Sequence, residues 1–334
     1  MTTYVPILKS KLAEYWAWGN ASQAIVASSR VLFELVPGAD GIVFAGRIAR
    51  AWPAGAVLTV DCGHLNGAVL QVARELQQRH VPSRPVMRLD DSPTVLGEIA
   101  SAAALHREGA CLRLGSVDSD PDPVAAAAAL PRVLSATGLG TPQIDLLLDY
   151  GVVASPRDVT RCVPVATAAI AWAASSGPWR SVTLASGSFP TSISSLALGA
   201  ATPLRRYDAA LFAAVYSAGP ALEIDYGDYG INHPRMPVPV PRGPKPNLRY
   251  ASNADWQVYR EDTVLPGHQS FFTLCGRLVN SAHWAGANYS AGDREVERCS
   301  RGVGGAGRAT EWLAYSTSHH LAHMVDRLAN LGVP

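Results

Sequence analysis

Residues 84–91 read RPVMRLDD and residues 109–116 read GACLRLGS. In each, an arginine sits between two apolar residues: Arg88 between Met87 and Leu89, Arg113 between Leu112 and Leu114. Side chains alternate across a β-strand, so the flanking residues point one way and the arginine the other. In a closed barrel the two directions are the helix layer and the barrel interior. Met87, Leu89 and the two leucines then face helices, and Arg88 and Arg113 are directed inward.

Working outward, PVMRLD from Pro85 and ACLRLG from Ala110 belong to a set of eight short β-like runs. The others are YVPILK from Tyr4, VLFELV from Val31, AVLTVD from Ala56, IDLLLD from Ile144, SVTLAS from Ser181 and ALEIDY from Ala221. Helical patterns separate them, among them NGAVLQVARELQQRH, SPTVLGEIASAAALHR, DPVAAAAALPRVLSA, RDVTRCVPVATAAIAWAA and RYDAALFAAVYSAG. Several begin with Ser, Asp or Asn ahead of the apolar periodicity, as N-caps do. Strand and helix alternating at intervals of about 25–40 residues is the pattern of parallel βαβ units. Eight units predict an α/β fold of the (β/α)₈ barrel type. The alternative is an open doubly wound sheet, but no GxGxxG follows the first strand.

The barrel is expected over residues 1–232. Residues 233–250 form a Pro-rich connection carrying Arg235, Arg242, Lys245 and Arg249 with no acid, and 251–334 form an appendage packed on the barrel. RGVGGAGRA lacks the GK[ST] of a phosphate-binding loop and reads as an ordinary glycine loop. With 334 residues, 48% hydrophobic and 16% charged, the chain can bury a large core. A formal net charge of +1 supplies no general attraction for nucleic acid or a membrane surface. No apolar run reaches roughly 18 residues, and the first residues lack the features of a signal peptide. Five scattered cysteines without a CxxC pair suit reduced thiols and a cytoplasmic setting.

Charged residues recur at the ends of these strands. Lys9, Glu34, Asp61, Arg88, Arg113, Asp149 and Asp225 are expected to converge on the C-terminal mouth, where barrel enzymes assemble their sites. Two arginines and a lysine suit a phosphate or carboxylate. Among the carboxylates Glu34, Asp61, Asp149 and Asp225 a general base, or ligands for Mg²⁺, are to be sought. Ser186 and Ser188, in ASGSFPTS, and Tyr226, in DYGDYG, would line the same mouth as ligand contacts. The competing reading is a set of structural ion pairs, because buried charges demand partners. His319, His320 and His323 in SHHLAHM have one metal-compatible spacing of four, but no glutamate or second cluster completes a site. His319 and His320 are therefore expected as packing or ligand contacts, and no metal ligand is assigned.

Both ends of the chain resemble the beta-protein family of satellite phages, prophages and bacterial defence islands. The opening is similar to the family's Tyr-x-Pro-Ile-Leu-Lys-x-Lys-x-x-Glu pattern at Tyr4, Pro6, Ile7, Leu8, Lys9, Lys11 and Glu14. NYSAGDREVERC and TEWLAYSTSHHLAHMV resemble its Ser-x-Gly-Asp and His-His elements at Ser290, Gly292, Asp293, Trp312, His319 and His320. The resemblance implies a setting, not a reaction: a phage-exclusion or toxin–antitoxin module in which the beta protein restrains a killing partner. Two expectations follow. In one, the mouth binds an anionic phosphate- or nucleotide-like molecule, with hydrolysis or phosphoryl transfer as the chemistry if the ligand is turned over. In the other, the protein is a non-catalytic inhibitor of a toxin or phage protein.

Overall fold

A computed structural model describes residues 2–50, 52–65, 68–235, 245–261 and 268–334. Eight parallel strands close into a barrel: β1 (Tyr4–Lys9), β2 (Leu32–Glu34), β3 (Leu58–Asp61), β4 (Ser83–Met87), β5 (Ala110–Leu114), β6 (Ile144–Val152), β7 (Ser181–Gly187) and β9 (Asp225–Asp228). The last strand pairs with the first through Tyr4 opposite Tyr226 and Pro6 opposite Asp228. Helices α1 (Leu12–Gly19), α3 (Gly41–Ala49), α4 (Val69–Gln78), α5 (Pro93–His106), α6 (Pro123–Thr137), α7 (Pro156–Ser176) and α8 (Tyr207–Ser217) follow successive strands, with a short α2 (Gln23–Ala27) after α1. The expected caps are present: Ser92 accepts from the Val95 amide, Asp122 from Val124 and Ala125, and Ser155 from Asp158. Each satisfies amides that the first helical turn leaves without partners.

The remaining layer is interleaved with the barrel. Strand β8 (Thr202–Arg205), which lies inside the stretch expected to be barrel, joins an antiparallel sheet with β10 (Asn247–Ser252) and β11 (Asp255–Arg260). Helices α9 (Ser270–Val279) and α10 (Ala291–Ser300) pack on it around Leu248, Phe271, Leu274 and Trp312. The long α11 (Ala309–Leu331) serves both layers. Trp312 near its start belongs to the added core, while Leu321, Met324 and Leu328 complete the main core beside β1 and α1. The expected terminal appendage is thus two excursions from the top of the barrel, and the chain returns to supply the eighth helix. A 23-residue helix can do this because its apolar face shifts along its length. Arg242 and the rest of 236–244 lie outside the described residues. Among the described residues no helix is long and apolar enough to cross a membrane, and all five cysteines are free and buried.

Inside the barrel, alternation stacks side chains in layers. A middle layer is apolar, including Ile7, Leu32, Val86, Cys111, Leu147 and Ala185. Gly227 is required on β9, because a Cβ there would stand 2.8 Å from that of Ala185. At the N-terminal end, Asp145 gathers Arg84, the Nε and Nη2 of Arg180 at 2.8 Å each, and the Ser181 hydroxyl at 2.6 Å. Burial alone would raise the Asp145 pKa, but the two arginines and Ser181 outweigh it and hold it near about 2. Its folded pKa is depressed, so its stabilisation is complete above the unfolded value of about 3.9 and is lost as pH falls towards 2. Melting temperature should therefore fall steeply between about pH 4 and pH 2. In Asp145→Asn the loss over that window should be smaller, as calorimetry would show.

Candidate functional site

Arg113 stands at the centre of the C-terminal mouth. Strand register sets Glu34 beside Asp61, and Asp149 projects from β6 next to β5. The Arg113 guanidinium donates to Glu34 at 2.8 Å, to Asp61 at 2.6 Å, to Asp149 at 3.0 and 2.7 Å, and to the Tyr229 hydroxyl at 2.7 Å. Tyr229 in turn donates to Asp149 at 2.7 Å. Burial opposes the Arg113 charge, but Tyr229, Asp149, Glu34 and Asp61 together raise its pKa well above the ordinary value. Arg88, immediately beyond β4, clamps Asp61 through two bonds of 3.0 and 2.6 Å. Burial would raise the Asp61 pKa, but Arg88 and Arg113 hold this carboxyl well below the usual range.

Lys9 completes the mouth from β1. Its ammonium donates to the carbonyls of His233, Pro234 and Arg235 at 2.5, 3.0 and 3.1 Å, so all three protons are used. Burial lowers its pKa to about 8, with Glu34 acting in the opposite direction. Three cations and three of the four expected carboxylates therefore meet here. A cavity of about 320 Å³ lies on the β4–β5 side of the mouth, lined by Arg88, Arg113, Ser116 and Ser119 together with Asp90, Asp120 and Asp122; of the six converging charges only the two arginines reach it. Arg113 lies at its floor almost wholly buried, whereas the Arg88 side chain keeps 30% of its surface exposed. One Glu34 oxygen, Oε2, is buried without a hydrogen-bond partner.

Asp225 is not in this mouth. The eighth strand runs from Asp225, not from Ala221, so this residue opens the strand and sits at the opposite end of the barrel. There it pairs with Arg30 and accepts from the Thr3 amide at 2.7 Å. Ala221, Leu222 and Ile224 are apolar but belong to the approach to the strand, which apolarity alone could not reveal.

Ser186, Ser188, Tyr226 and His320 also leave the mouth. The same alternation that turns Gly227 inward turns Tyr226 and Asp228 outward, into a second buried cluster beneath α11. Arg206, fully buried, donates to Asp208 at 2.9 Å and to the Tyr226 hydroxyl at 2.6 Å. Asp228 accepts from Tyr4 at 2.6 Å and from Tyr226 at 3.0 Å, and lies 2.8 Å from His320 Nε2. Ser188 bonds Asp208, and the buried Ser186 hydroxyl has no partner. His319 is further away: its Nδ1 lies 2.9 Å from Asp293, and its Nε2 donates to the Ala251 carbonyl at 2.8 Å. Ser290 donates to Asp293 at 2.6 Å and caps α10. Gly292 meets α11 so closely that a Cβ would fall 2.1 Å from the Tyr315 carbonyl oxygen. These side chains join α10 and α11 to the barrel wall. Among the described residues no group of three His, Cys, Asp or Glu is placed to hold a metal.

Several participants escaped the sequence reading. Arg84 could have been found, since it shares the inward alternation of Arg88 four residues later. Tyr229, Arg206 and Asp208 had no such signal, because they lie in loops or at a helix start.

The closed parallel barrel, its outer helices and its charged C-terminal mouth define a (β/α)₈ protein. The family model described as Beta protein matches residues 4–326. The chain belongs to that family. Among solved structures it is similar to one described as the crystal structure of 3-hexulose-6-phosphate synthase, with 16% identity, 69% of this chain and 91% of that chain covered, and a TM-score of 0.38. So distant a likeness bears on no ligand or reaction. No curated protein matches.

Arg113→Met would leave three carboxylates buried around an apolar group. It should destabilise the fold by about 3–5 kcal/mol in urea unfolding, the range for breaking a buried pair. Arg88→Ala should lose less than half as much, since Arg88 is partly hydrated and Asp61 keeps Arg113. A near-neutral Arg113→Met would mean that the network does not hold the mouth.

Proposed function

We propose that this Beta protein family member is an antiphage-defence or prophage-encoded protein that binds an anionic phosphate- or nucleotide-like molecule at its barrel mouth. The observation that supports this reading is Arg88: a guanidinium aligned by Asp61, partly exposed, at the wall of a cavity whose floor is Arg113. A bound oxyanion can accept from the donors that Arg88 keeps free of Asp61, in the forked geometry that suits such groups. The surrounding Asp90, Asp120 and Asp122 oppose a bare anion, so a phosphate accompanied by Mg²⁺ is the better fit. Binding is favoured over turnover. Asp61 and Asp149 are committed to arginines, and Asp61, held well below the usual carboxylate range, is a poor general base near neutrality. If chemistry does occur, hydrolysis or phosphoryl transfer remains its class.

A second reading is restraint of a toxin or phage protein without chemistry. It is supported by exposed apolar side chains at the first turns of helices around the same rim: Leu12, Ile42, Val43 and Val124, the last 78% exposed. Helices of such barrels begin at the mouth, so these residues share its face.

Thermal-shift titration with nucleotides and phosphate compounds, with and without Mg²⁺, should reveal a stabilising ligand whose effect disappears in Arg88→Ala. Cells carrying that variant should lose protection against phage, while Ile42→Glu with Val124→Glu should keep it. Indifference to all these compounds, with protection lost only in the rim variant, would transfer the function to the second reading.

A further inference from the structure

The Arg113 network is charge-balanced, and the surplus of positive charge lies beside it, where β1, α1 and β10 meet. Arg249, on β10, donates to the Ile231 carbonyl at 2.7 Å and to the Asn247 side chain at 3.2 Å, and lies over the Phe189 ring at 4.4 Å. It has no carboxylate within ion-pair distance among the described residues. Lys11, partly buried just before α1, likewise has no hydrogen bond or ion pair from its ammonium there. Among the described residues, Glu14 is the acid whose field reaches both. Glu14 is buried, accepts from Asn232 at 3.0 Å through one oxygen, and leaves the other without a partner. Lys9 adds its charge from below, although its protons are all given to carbonyls.

Arg249 and Lys11 against the single carboxylate of Glu14 leave one positive charge in excess among partly desolvated groups, and buried charge normally finds a partner. The pKa shifts of these groups run the same way. Burial lowers Arg249 to about 10 and lowers Lys11, with Glu14 the opposing influence on each. His233, nearby, is lowered by burial and by the fields of Lys9 and Arg235. The backbone points the same way. Lys11 occupies the N-cap of α1, where Ser, Asp or Asn would ordinarily accept from the first amides, and no side chain caps the helix. An uncapped N-terminus presents amides and a positive dipole end to the same space.

We propose that Arg249, Lys11 and the N-terminus of α1 form a second anion subsite on the rim of the mouth, built for a phosphate that keeps one P–OH, as hydrogen phosphate does. It goes beyond the Arg88 reading, because it uses different residues and stands or falls separately. Arg249 supplies the forked donor, stacked and oriented by Phe189. Lys11 supplies a mobile point charge, and the α1 amides take a third oxygen. Glu14 faces the ligand as the acceptor that selects a protonated or hydroxyl-bearing phosphate over a bare sulfate.

Inorganic phosphate and sulfate, each against chloride at matched ionic strength, would be titrated into the full chain by calorimetry. Phosphate should bind more tightly than sulfate. Arg88→Ala removes the other phosphate site and should still bind phosphate, and in that background Arg249→Gln and Lys11→Gln should each weaken the remaining binding at least tenfold, with Arg249→Lys restoring part of it. Lys11→Gln keeps the test decisive if Arg249→Gln fails to fold, since the Lys11 ammonium holds no bond among the described residues. Unchanged affinity when Lys11→Gln is added to that background, or loss of phosphate binding in Arg88→Ala alone, would overturn the subsite while leaving the Arg88 reading intact. Failure of the wild type to bind phosphate in preference to chloride would also overturn it, and nucleotide binding at Arg88 would then be judged by its own titration.

Discussion

A guanidinium cannot remain in a protein interior without acceptors, and this requirement organises the upper half of the barrel. Arg113 is satisfied only if β2, β3 and β6 deliver Glu34, Asp61 and Asp149 to one height and the chain after β9 brings Tyr229 across the top. A slip of one residue in any of these strands would turn its carboxylate towards the helices and strand the charge. Apolar packing alone would tolerate several registers; the arginine tolerates one. A similar device closes the opposite end, where Asp145 collects Arg84 and Arg180 below an apolar middle layer.

Charge balance then separates what the mouth holds from what it can offer. Buried carboxylates surrounding Arg113 are consumed by the fold, which explains why so acidic a constellation makes a poor base. Groups left over are the partly exposed Arg88 and, across the rim, Arg249 and Lys11. Those are the positions from which an oxyanion would gain something that the protein does not already supply.

Residues that most resemble family motifs do a different job. Ser290, Gly292 and Asp293 dock α10 on α11, His319 bridges Asp293 and the Ala251 carbonyl, and His320 reaches Asp228 on the outer wall of β9. They tie the added layer and the eighth helix to the barrel. The opening pattern is divided: Tyr4 belongs to the wall cluster and Lys9 to the mouth, while Lys11 and Glu14 face the rim. A recognisable motif in this chain therefore marks a place where layers meet as often as a place where ligands would.

By itself the sequence determined the closed α/β barrel and the inward set Lys9, Glu34, Asp61, Arg88, Arg113 and Asp149. Both follow from two-residue alternation within a strand, a local property that neighbouring residues display. Only the tertiary structure decided the rest: that Asp225 opens its strand instead of ending it, that Tyr226 and His320 meet behind the wall, and that β8 leaves the barrel stretch to join β10 and β11. It also decided that Arg249 has no carboxylate within ion-pair distance among the described residues. Partners such as Arg113 and Tyr229, or Asp228 and His320, lie roughly a hundred residues apart, and no periodicity reaches across that distance. Strand ends and ion-pair partners are fixed by which surfaces pack, and packing is settled only when the whole chain has closed on itself.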